Sequence, residues 1–467
     1  MVELLAPAGN YEKLVMALHY GADAVYAGGT NFSLRERSGN FDPKELEKAV
    51  NYTHKLGKKI YIAANIYAHN NDIDQLPAYI KSLGEMGVDA IILSDPGVLS
   101  LVKEFAPKTE IHLSTQANTT NYMSANFWKE QGISRIVMAR ELSLPEIKTT
   151  VEKSTVEVEM FVHGAQCMAY SGRCLISNYL TDRDANQGDC AQSCRWNYEL
   201  VEQKRPDDFH PVEEDSRGTY FFNSKDLSLI QHLPDIIESG VTSLKIEGRV
   251  KSIHYTATIV RAYREAIDLY YRVNSKHHQK TPYNSNLNSS DLNTNKNSNV
   301  NLNVNLNVDS NLDSNMNSNI DSNMNLNSSD LNKNYSDTIA TELTKVSHRA
   351  YSTGFLLGNP GSEGQSYDSA RPEKGMSFLG KIIRTEGQKA WIDIRGKFSR
   401  GDSIEIMRRR LDKDFLFSVT DIYNEDEELI EFTKPNSVAI VHFDKEVSAN
   451  DIIRIYNIAP AKSLAKR

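Results

Sequence analysis

Residues 2–28 read VELLAPAGNYEKLVMALHYGADAVYAG, which contains one complete strand–helix–strand unit. Short apolar runs at Glu3–Ala6 and Ala24–Ala27 predict two buried strands. The amphipathic stretch Tyr11–Tyr20 predicts the helix between them, and Gly21 follows where that helix would end. Because a helical crossover joins parallel strands, this stretch predicts a parallel α/β fold.

The same alternation continues to about Val273. Further strands are predicted at Lys59–Ile66, Ala90–Leu93, Ile111–Ser114, Arg135–Met138, Val156–Val162 and Leu244–Glu247. Further helices are predicted at Pro43–Leu56, Ile73–Met86, Pro96–Phe105, Tyr122–Gln131, Leu144–Lys153, Leu229–Glu238 and Ser252–Tyr271. Eight successive units predict a (β/α)8 TIM-like barrel over residues 1–275. A doubly wound open sheet is the alternative, and no G-x-G-x-x-G motif follows the first strand to support it.

All four cysteines lie in one stretch, residues 159–197, which reads EMFVHGAQCMAYSGRCLISNYLTDRDANQGDCAQSCRWN. They are Cys167, Cys174, Cys190 and Cys194, with the spacing C-x6-C-x15-C-x3-C. The stretch begins in the seventh predicted strand and continues as a loop, residues 163–196. A long chain that confines its thiols to one loop is expected to use them together.

Four uses of these cysteines compete. The first residues, MVELLAPAG, show no secretory signal, so we expect a cytoplasmic chain with reduced thiols, which disfavours two disulfides. Structural zinc favours close cysteine pairs, and only Cys190 and Cys194 are close. Four unrelated free thiols would not need to cluster. An iron–sulfur cluster needs four soft thiolates from a pliable loop and no fixed spacing, so it is the leading hypothesis.

The stretch from Glu159 to Ser177 resembles the signature of the collagenase-like U32 peptidase family, and the cysteine spacing resembles the cluster-binding motif of its members. Within that family the chain is most similar to the prephenate-dependent tRNA uridine hydroxylases. The supporting stretches are ELLAPAG (3–9), YGADAVYAG (20–28), SLRER (33–37), LSDPG (93–97), HLSTQAN (112–118), RELSLPEI (140–147), NQGDCAQSCRW (186–196), NSKDL (223–227) and SLKIEGR (243–249). The resemblance covers about residues 1–275 and 345–365.

This resemblance implies a [4Fe–4S] cluster on the four cysteines and hydroxylation of an anticodon-loop (wobble) uridine of tRNA, with prephenate as co-substrate. Two alternatives stay open. One is a U32-type peptidase with Cys167 as nucleophile beside His163, which would leave three clustered cysteines unexplained. The other is an accessory subunit that carries the cluster while a paralogous family subunit performs the chemistry.

The barrel prediction also selects candidate site residues, because active sites of such barrels form at the C-terminal ends of the strands. The catalytic candidates are Arg140, Glu141, His163, Lys245, Glu247 and Arg249. The substrate-binding candidates are Arg35, Arg37, Asn65, His112, Gln116 and Asn118. Guanidinium groups suit a dianionic carboxylate such as prephenate. An ion-pair network at the eighth strand, and core histidines at 112 and 163, are the alternatives.

An excursion hairpin is predicted before the eighth strand, with strands at Trp196–Gln203 and Gly218–Asn223 and a loop at Pro206–Ser216. Residues 283–336 are Asn/Ser-rich and predict a disordered insertion without catalytic duty. Residues 340–372 predict a segment that returns to the barrel mouth, with a surface helix as the alternative.

Short strands without intervening helices predict a small all-β barrel domain over residues 373–460. Its sequence RGKFSRGDSIEIMRRR (395–410) resembles the carboxy-terminal barrel of some family members. The candidate tRNA-backbone contacts there are Arg395, Lys397, Arg400, Arg408, Arg409 and Arg410, and a solvated charged face is the alternative. A local patch is needed because the net charge of −8 does not attract RNA. No apolar run approaches a membrane span, so no membrane partner is expected.

Overall fold

The computed structural model describes residues 1–30, 32–33, 40–167, 169–183, 190–196, 214–215, 218–219, 224–278, 336–360, 364 and 373–457.

A closed barrel of eight parallel strands forms the first part of the chain. The strands up to the last barrel strand are β1 (Glu3–Pro7), β2 (Ala24–Gly28), β3 (Lys59–Ala63), β4 (Ala90–Leu93), β5 (Glu110–Leu113), β6 (Arg135–Val137), β7 (Glu157–Ala165), β8 (Glu214–Asp215), β9 (Gly218–Thr219), β10 (Asp226–Ser228) and β11 (Ser243–Ile246). Strands β1 to β7 pair in sequence order, and β11 closes the ring by pairing in parallel with both β7 and β1. The predicted (β/α)8 barrel is confirmed.

Helices surround the strands. They are α1 (Tyr11–His19), α2 (Pro43–Lys55), α3 (Asn70–Ile73), α4 (Leu76–Met86), α5 (Pro96–Phe105), α6 (Tyr122–Glu130), α7 (Leu144–Lys153), α8 (Ile176–Thr181), α9 (Leu233–Glu238) and α10 (Ile253–His278). Side-chain caps explain several of their starts, as at Asn10, Asp42 and Asp95, whose side chains accept backbone N–H groups of the first turn. The helix predicted over Ile73–Met86 begins at Leu76 instead, and a separate short helix ends at Ile73, because Pro77 is favoured in the first turn of a new helix.

The barrel has an apolar and a charged half inside. Leu5, Tyr26, Tyr61 and Ile92 form an inner apolar cluster on strands β1 to β4. On the opposite side, strands β5, β6, β7 and β11 bury charged or polar residues instead, namely His112, Arg135, Glu159 and Lys245. The interior is therefore a packed core that becomes polar toward one side.

Two short strands extend the barrel sheet beyond the eight predicted strands. Strand β10 pairs antiparallel with the end of β7, and it also pairs with β12 (Tyr351–Ser352). Residues 336–342 are helical before that strand. The return segment therefore reaches the barrel mouth through a strand pairing. The composition of residues 345–358 alone did not distinguish this arrangement from a surface helix.

The excursion hairpin differs from its prediction. Strand β8 pairs antiparallel with β9, so Glu214 and Asp215 form a strand where a loop was expected. Their acidic character favours a loop, but a ladder to Gly218 and Thr219 satisfies their backbone groups. The predicted strand after Trp196 and nearly all of the Asn/Ser-rich insertion lie outside the described residues.

A curled antiparallel sheet of eight strands forms the carboxy-terminal region, which confirms the predicted all-β unit. Its strands are β13 (Met376–Glu386), β14 (Lys389–Ile394), β15 (Ser403–Met407), β16 (Phe415–Ser418), β17 (Ile422–Tyr423), β18 (Leu429–Ile430), β19 (Val438–His442) and β20 (Ile452–Tyr456). The spatial order is β16-β15-β20-β13-β14-β19-β17-β18. Register shifts along β13 near Gly380 bend that strand, and a Cβ atom at Gly380 would lie 2.5 Å from the Asp393 carbonyl oxygen.

A buried set of ion pairs joins this sheet to the barrel. We call it the interface network; it consists of Arg261, Glu342, Lys345, Glu405, Asp414 and Arg454. Arg261 lies on α10 and Arg454 on β20, and both side chains are 0% exposed. Arg454 lies 2.6 Å from Glu342, a residue of the segment that precedes β12. Within the described residues, no helix is long and apolar enough to cross a membrane.

Candidate functional site

A cavity of about 140 Å³ lies at the C-terminal ends of the barrel strands. Six of the predicted site residues line it, together with three of the four cysteines. These residues are Asn65, Gln116, Arg140, Lys245, Glu247, Arg249, Cys167, Cys174 and Cys190. The barrel topology brings them together because the C-terminal ends of parallel strands meet at one end of the barrel.

The cationic side of the cavity begins with Arg140, just after β6. Its guanidinium lies over the Phe161 ring at 3.8 Å and donates a 2.6 Å hydrogen bond to the Ala165 carbonyl oxygen. Glu247, after β11, lies 3.8 Å from the same guanidinium. Stacking and hydrogen bonding together fix the plane of the Arg140 side chain at the cavity wall.

Arg249 contributes a second guanidinium from the loop that follows β11. It donates a 2.6 Å hydrogen bond to the Ser33 hydroxyl and a further one to the Asn40 side chain. A Cβ atom at Gly28 would lie 2.3 Å from Arg249 Nη2, so only glycine at position 28 leaves room for this arginine. The glycine at the end of β2 thus provides the space that the Arg249 guanidinium occupies.

Lys245 connects the cavity to a group of buried charges beneath it. We call this group the floor network; it consists of Glu3, Arg135, Glu157, Glu159 and Lys245. Lys245 Nζ lies 2.7 Å from Glu159, and Arg135 lies 2.5 Å from Glu3 and 2.8 Å from Glu157. Burial alone raises the pKa of the Glu159 carboxyl, but the charges of Lys245 and Arg135 bring that pKa below its ordinary value.

Sequence reasoning missed Glu159 and Arg135. The available signal was a charged residue in each of two strands of the predicted barrel, which is costly unless the charges are paired. The ion-pair network considered as an alternative for the eighth strand therefore exists, and Lys245 belongs both to it and to the cavity wall.

The opposite side of the cavity is built from neutral polar groups. Asn65 follows β3, and Ser114 and Gln116 follow β5. The Asn65 side-chain amide donates to Gln116 Oε1, and the Ser114 hydroxyl donates to the same oxygen at 3.2 Å. Gln116 is 3% exposed, and its Nε2 atom has no hydrogen-bond partner among the residues that the structure describes.

The cysteine loop covers the cavity. Cys167 is exposed and the other three cysteines are partly buried, and all four are free thiols. The Ser177 hydroxyl holds the loop together, since it accepts a hydrogen bond from Ala191 N at 2.9 Å and donates one to Arg183 O at 2.8 Å. Cys190 Sγ accepts a hydrogen bond from Gln192 N at 3.4 Å.

The described part of the chain contains no three of these sulfurs within 4.8 Å of one another. Tetrahedral zinc with Zn–S bonds of about 2.3 Å would hold its sulfur atoms about 3.8 Å apart. The spacing of the cysteines is therefore wider than a single zinc ion would require.

His163 does not line the cavity. Its ring packs against Tyr255, Tyr263 and Tyr351 with centroid separations of 6.0, 5.5 and 5.3 Å, and it is 1% exposed. Burial lowers its pKa to about 3, so the imidazole is neutral. This position gives His163 the role of a core histidine and separates it from the predicted catalytic group.

Three other described candidates also lie outside the cavity lining. His112 is buried at the barrel floor, with its ring 4.7 Å from that of Tyr61, and burial lowers its pKa. Asn118 lies outside the lining and donates to the Gln116 carbonyl oxygen at 2.8 Å. Glu141 does not line the cavity, and burial raises its pKa. Arg35 and Arg37 lie outside the described residues.

Most of the predicted RNA-binding cations are paired with carboxylates. Arg395 contacts Asp393 and Glu12, Arg400 contacts Asp421 and Glu431, Arg408 contacts Asp451, and Arg410 contacts Asp412. Lys397 lies over the Phe432 ring at 4.1 Å. Arg409 lies near His19, and burial together with the Arg409 charge lowers the pKa of His19 to about 4. This arrangement favours the solvated charged face that was the alternative for these residues.

The rim of the cysteine loop instead exposes large apolar side chains. Tyr170, which lines the cavity, is 46% exposed, Tyr179 on α8 is 87% exposed and Trp196 is 43% exposed. Leu175 of the same loop is also exposed. Exposed large apolar side chains on a loop that borders a polar cavity are typical of an interaction surface.

Fold and site together define a TIM-barrel protein whose mouth is closed by a cysteine-bearing loop. The chain belongs to peptidase family U32: the model of "Peptidase family U32" matches residues 9–300, and that of "Peptidase family U32 C-terminal domain" matches residues 374–454.

Three relatives are similar over much of their length. The chain is 36% identical to "tRNA hydroxylation protein P1" of Bacillus subtilis, over 97% of this chain and 94% of that protein. It is 34% identical to "tRNA hydroxylation protein P" of Escherichia coli, over 87% of this chain and 86% of that protein. It is 36% identical to "tRNA hydroxylation protein P2" of Bacillus subtilis, over 57% of this chain and 86% of that protein.

Proposed function

We propose that this protein is an iron–sulfur enzyme that hydroxylates an anticodon-loop (wobble) uridine of tRNA, with prephenate as co-substrate. The observation that carries the proposal is that three of the four cysteines line the same cavity as the predicted cationic residues. The names of relatives that match nearly the whole chain agree with a tRNA hydroxylase.

The donor set fits an iron–sulfur cluster. Cys167, Cys174, Cys190 and Cys194 are free thiols on one loop, and a backbone N–H already donates to Cys190 Sγ, as is common for cluster sulfurs. These four residues would hold the [4Fe–4S] cluster. When bound, the cluster would supply one-electron chemistry.

The cationic side of the cavity fits a dianionic co-substrate. Arg140, Lys245 and Arg249 together with Glu247 give the lining a formal net charge of +2. Guanidinium groups bind carboxylates in a bidentate manner, and the cavity shields them from water. These residues would bind and orient prephenate at the barrel mouth.

The exposed rim of the cysteine loop is where we place the RNA. Unpaired bases of an RNA loop stack on aromatic side chains; Tyr170 presents such a side chain at the cavity, and Tyr179 and Trp196 present theirs on the same loop. The basic residues of the carboxy-terminal sheet are already paired with carboxylates, so we assign them a smaller share of the binding.

The peptidase alternative finds less support in the geometry. Its nucleophile and base would be Cys167 and His163, but Cys167 lines the cavity whereas His163 is buried among tyrosines outside it. An accessory role with a paralogous partner subunit remains a second prediction. Two of the relatives, P1 and P2, come from one organism, so a paralogue is a reasonable addition to the assay.

The test is anaerobic purification, analysis of iron and sulfide, and a tRNA hydroxylation assay read by mass spectrometry of nucleosides. We expect iron and sulfide in near-equal amounts and prephenate-dependent hydroxylation of a tRNA uridine. Alanine at any of the four cysteines should remove both, and Tyr179→Ser should weaken tRNA binding with iron retained. Lys81→Ala, on the exposed face of α4, is the control.

Full hydroxylation by cysteine variants that lack iron would overturn the cluster part of the proposal. Iron-loaded protein that hydroxylates no tRNA uridine, with prephenate and with a paralogue added, would overturn the activity.

A further inference from the structure

We infer that Gln116 recognises the substrate base, by donating a hydrogen bond from its side-chain amide to a carbonyl oxygen of a neutral planar heterocycle such as uracil. The inference rests on the proposed function and names how the same site selects its base.

The first observation is the unsatisfied donor. Gln116 is 3% exposed and lines the cavity, yet Nε2 has no acceptor within the described part of the chain. Leaving a buried amide donor unpaired costs about 1–3 kcal/mol, and folded proteins seldom do so. A donor in this state at a cavity wall is suited to a ligand acceptor.

The second observation is the orientation of the amide. Asn65 Nδ2 and the Ser114 hydroxyl both donate to Gln116 Oε1. With Asn65 Nδ2 as the donor, the opposite orientation of Gln116 would set two NH2 groups against each other, whereas the Ser114 hydroxyl suits either orientation. Gln116 therefore presents a donor, and not an acceptor, away from Asn65.

The third observation is the space beside Nε2. Gly172 of the cysteine loop has φ +79°, and a Cβ atom there would lie 3.1 Å from Gln116 Nε2 and 3.0 Å from Tyr67 Oη. Glycine at this position leaves space between the cysteine loop and these two polar atoms, which a larger side chain would fill. The loop that carries the cysteines thus also determines the space around the Gln116 amide.

The charge distribution decides the chemical class of the ligand group. The charged lining residues Arg140, Lys245, Glu247 and Arg249 follow β6 and β11, whereas Asn65 and Gln116 follow β3 and β5. An anion would bind on the cationic side, which leaves the neutral side to an uncharged group. A neutral N–H group donates to a carbonyl oxygen but not to an exocyclic amino group, which is the difference between uracil and cytosine at one ring edge.

Two variants test this role. Gln116→Glu keeps the acceptor for Asn65 and Ser114 but replaces the donor by a carboxylate, and Gln116→Met removes both functions at similar volume. Gln75→Glu, at an exposed position before α4, is the matched control for the same chemical change. The probes are two RNA hairpins that differ only in one loop base, uridine or cytidine.

We expect kcat/KM for the uridine hairpin to fall about 10- to 100-fold in both Gln116 variants, with iron content unchanged, as loss of one buried hydrogen bond predicts. The preference for uridine over cytidine, measured by fluorescence anisotropy, should fall as well. A purely structural role would weaken both hairpins equally and leave that preference unchanged.

The two proposals fail separately. A wild-type preference for uridine in binding that the Gln116 variants lose, without any hydroxylation, would contradict the proposed function and uphold the role of Gln116. Hydroxylation by wild-type protein, with kcat/KM and base preference retained in both variants, would overturn the role of Gln116 alone.

Discussion

Two groups of buried charge hold this molecule together, and they differ in what lies next to them. The floor network reaches solvent at Glu157, whose side chain is half exposed, and its Lys245 lines the cavity. In the interface network, Arg261 and Arg454 are both 0% exposed and Glu342 is 1% exposed. One network thus reaches a site where a ligand can bind, whereas the central charges of the other are enclosed by protein.

The two networks use buried ion pairs for different purposes. Burial raises the pKa of the Glu342 carboxyl, but Arg261 and Arg454 bring it well below its ordinary value, so the carboxylate stays ionised. The enclosed pairs join α10, the return segment and the carboxy-terminal sheet, and they position the segment that brings Tyr351 against His163. The interface network is structural, whereas the floor network also sets the orientation of a cavity residue.

The largest effect on stability is expected from Arg454→Met. It leaves Glu342 and Glu405 buried with less positive charge, so the free energy of unfolding should fall by about 3–5 kcal/mol. Urea unfolding followed by circular dichroism measures this change. Arg410→Met breaks an exposed pair with Asp412 and should cost less than about 1 kcal/mol. Equal losses in the two variants would contradict the structural role of the interface network.

A smaller loss of stability with a larger loss of turnover is expected from Glu159→Gln. Lys245 loses the carboxylate that holds it, but it borders the cavity and can be hydrated there, so the free energy of unfolding should fall by only about 1–3 kcal/mol. The hydroxylation rate should fall more than about tenfold, since each about 1.4 kcal/mol of lost transition-state stabilisation is tenfold in rate.

Glu157→Gln is the matched control, because Glu157 pairs with the same Arg135 but is half exposed. It should keep both stability and turnover. Normal turnover in Glu159→Gln would show that Lys245 does not need this partner, and the contrast between the two networks would then be lost.

The smallest effect concerns His163, a buried titratable group outside both networks. Burial lowers its pKa to about 3 from an ordinary 6.5, so between these pH values the unfolded chain binds a proton that the folded protein does not. The stability that this residue contributes is present above pH 6.5 and is lost as the pH falls toward 3. Compared with His163→Gln, the wild-type unfolding free energy should fall more steeply, by up to about 1.4 kcal/mol per pH unit.

Hydroxylation at neutral pH should persist in His163→Gln, because His163 does not line the cavity. Urea unfolding at a series of pH values, together with the assay, checks both expectations. Parallel pH profiles for the two proteins would show that the buried imidazole is not linked to stability in this way.

Much of the site followed from strand ends in the sequence. Asn65, Gln116, Arg140 and Lys245 meet in one cavity because parallel barrel strands end together. His163 does not line the cavity, and the cause is local. A register shift pairs Lys245 with Phe161 but Ile246 with His163. Such a bulge changes the side to which the strand directs the His163 side chain. A bulge of this kind leaves no trace in an apolar strand sequence.

The sequence by itself determined the eight barrel strands, most of the helices between them and the clustering of the cysteines, because periodicity and helix caps are local properties of the chain. Only the tertiary structure decided that Lys245 pairs with Glu159, that Arg454 pairs with Glu342, and that Gln116 keeps an unpaired donor at the cavity. The physical reason is that a buried charge or amide must find its partner among residues far away in sequence, and the distances between them exist only in the folded chain.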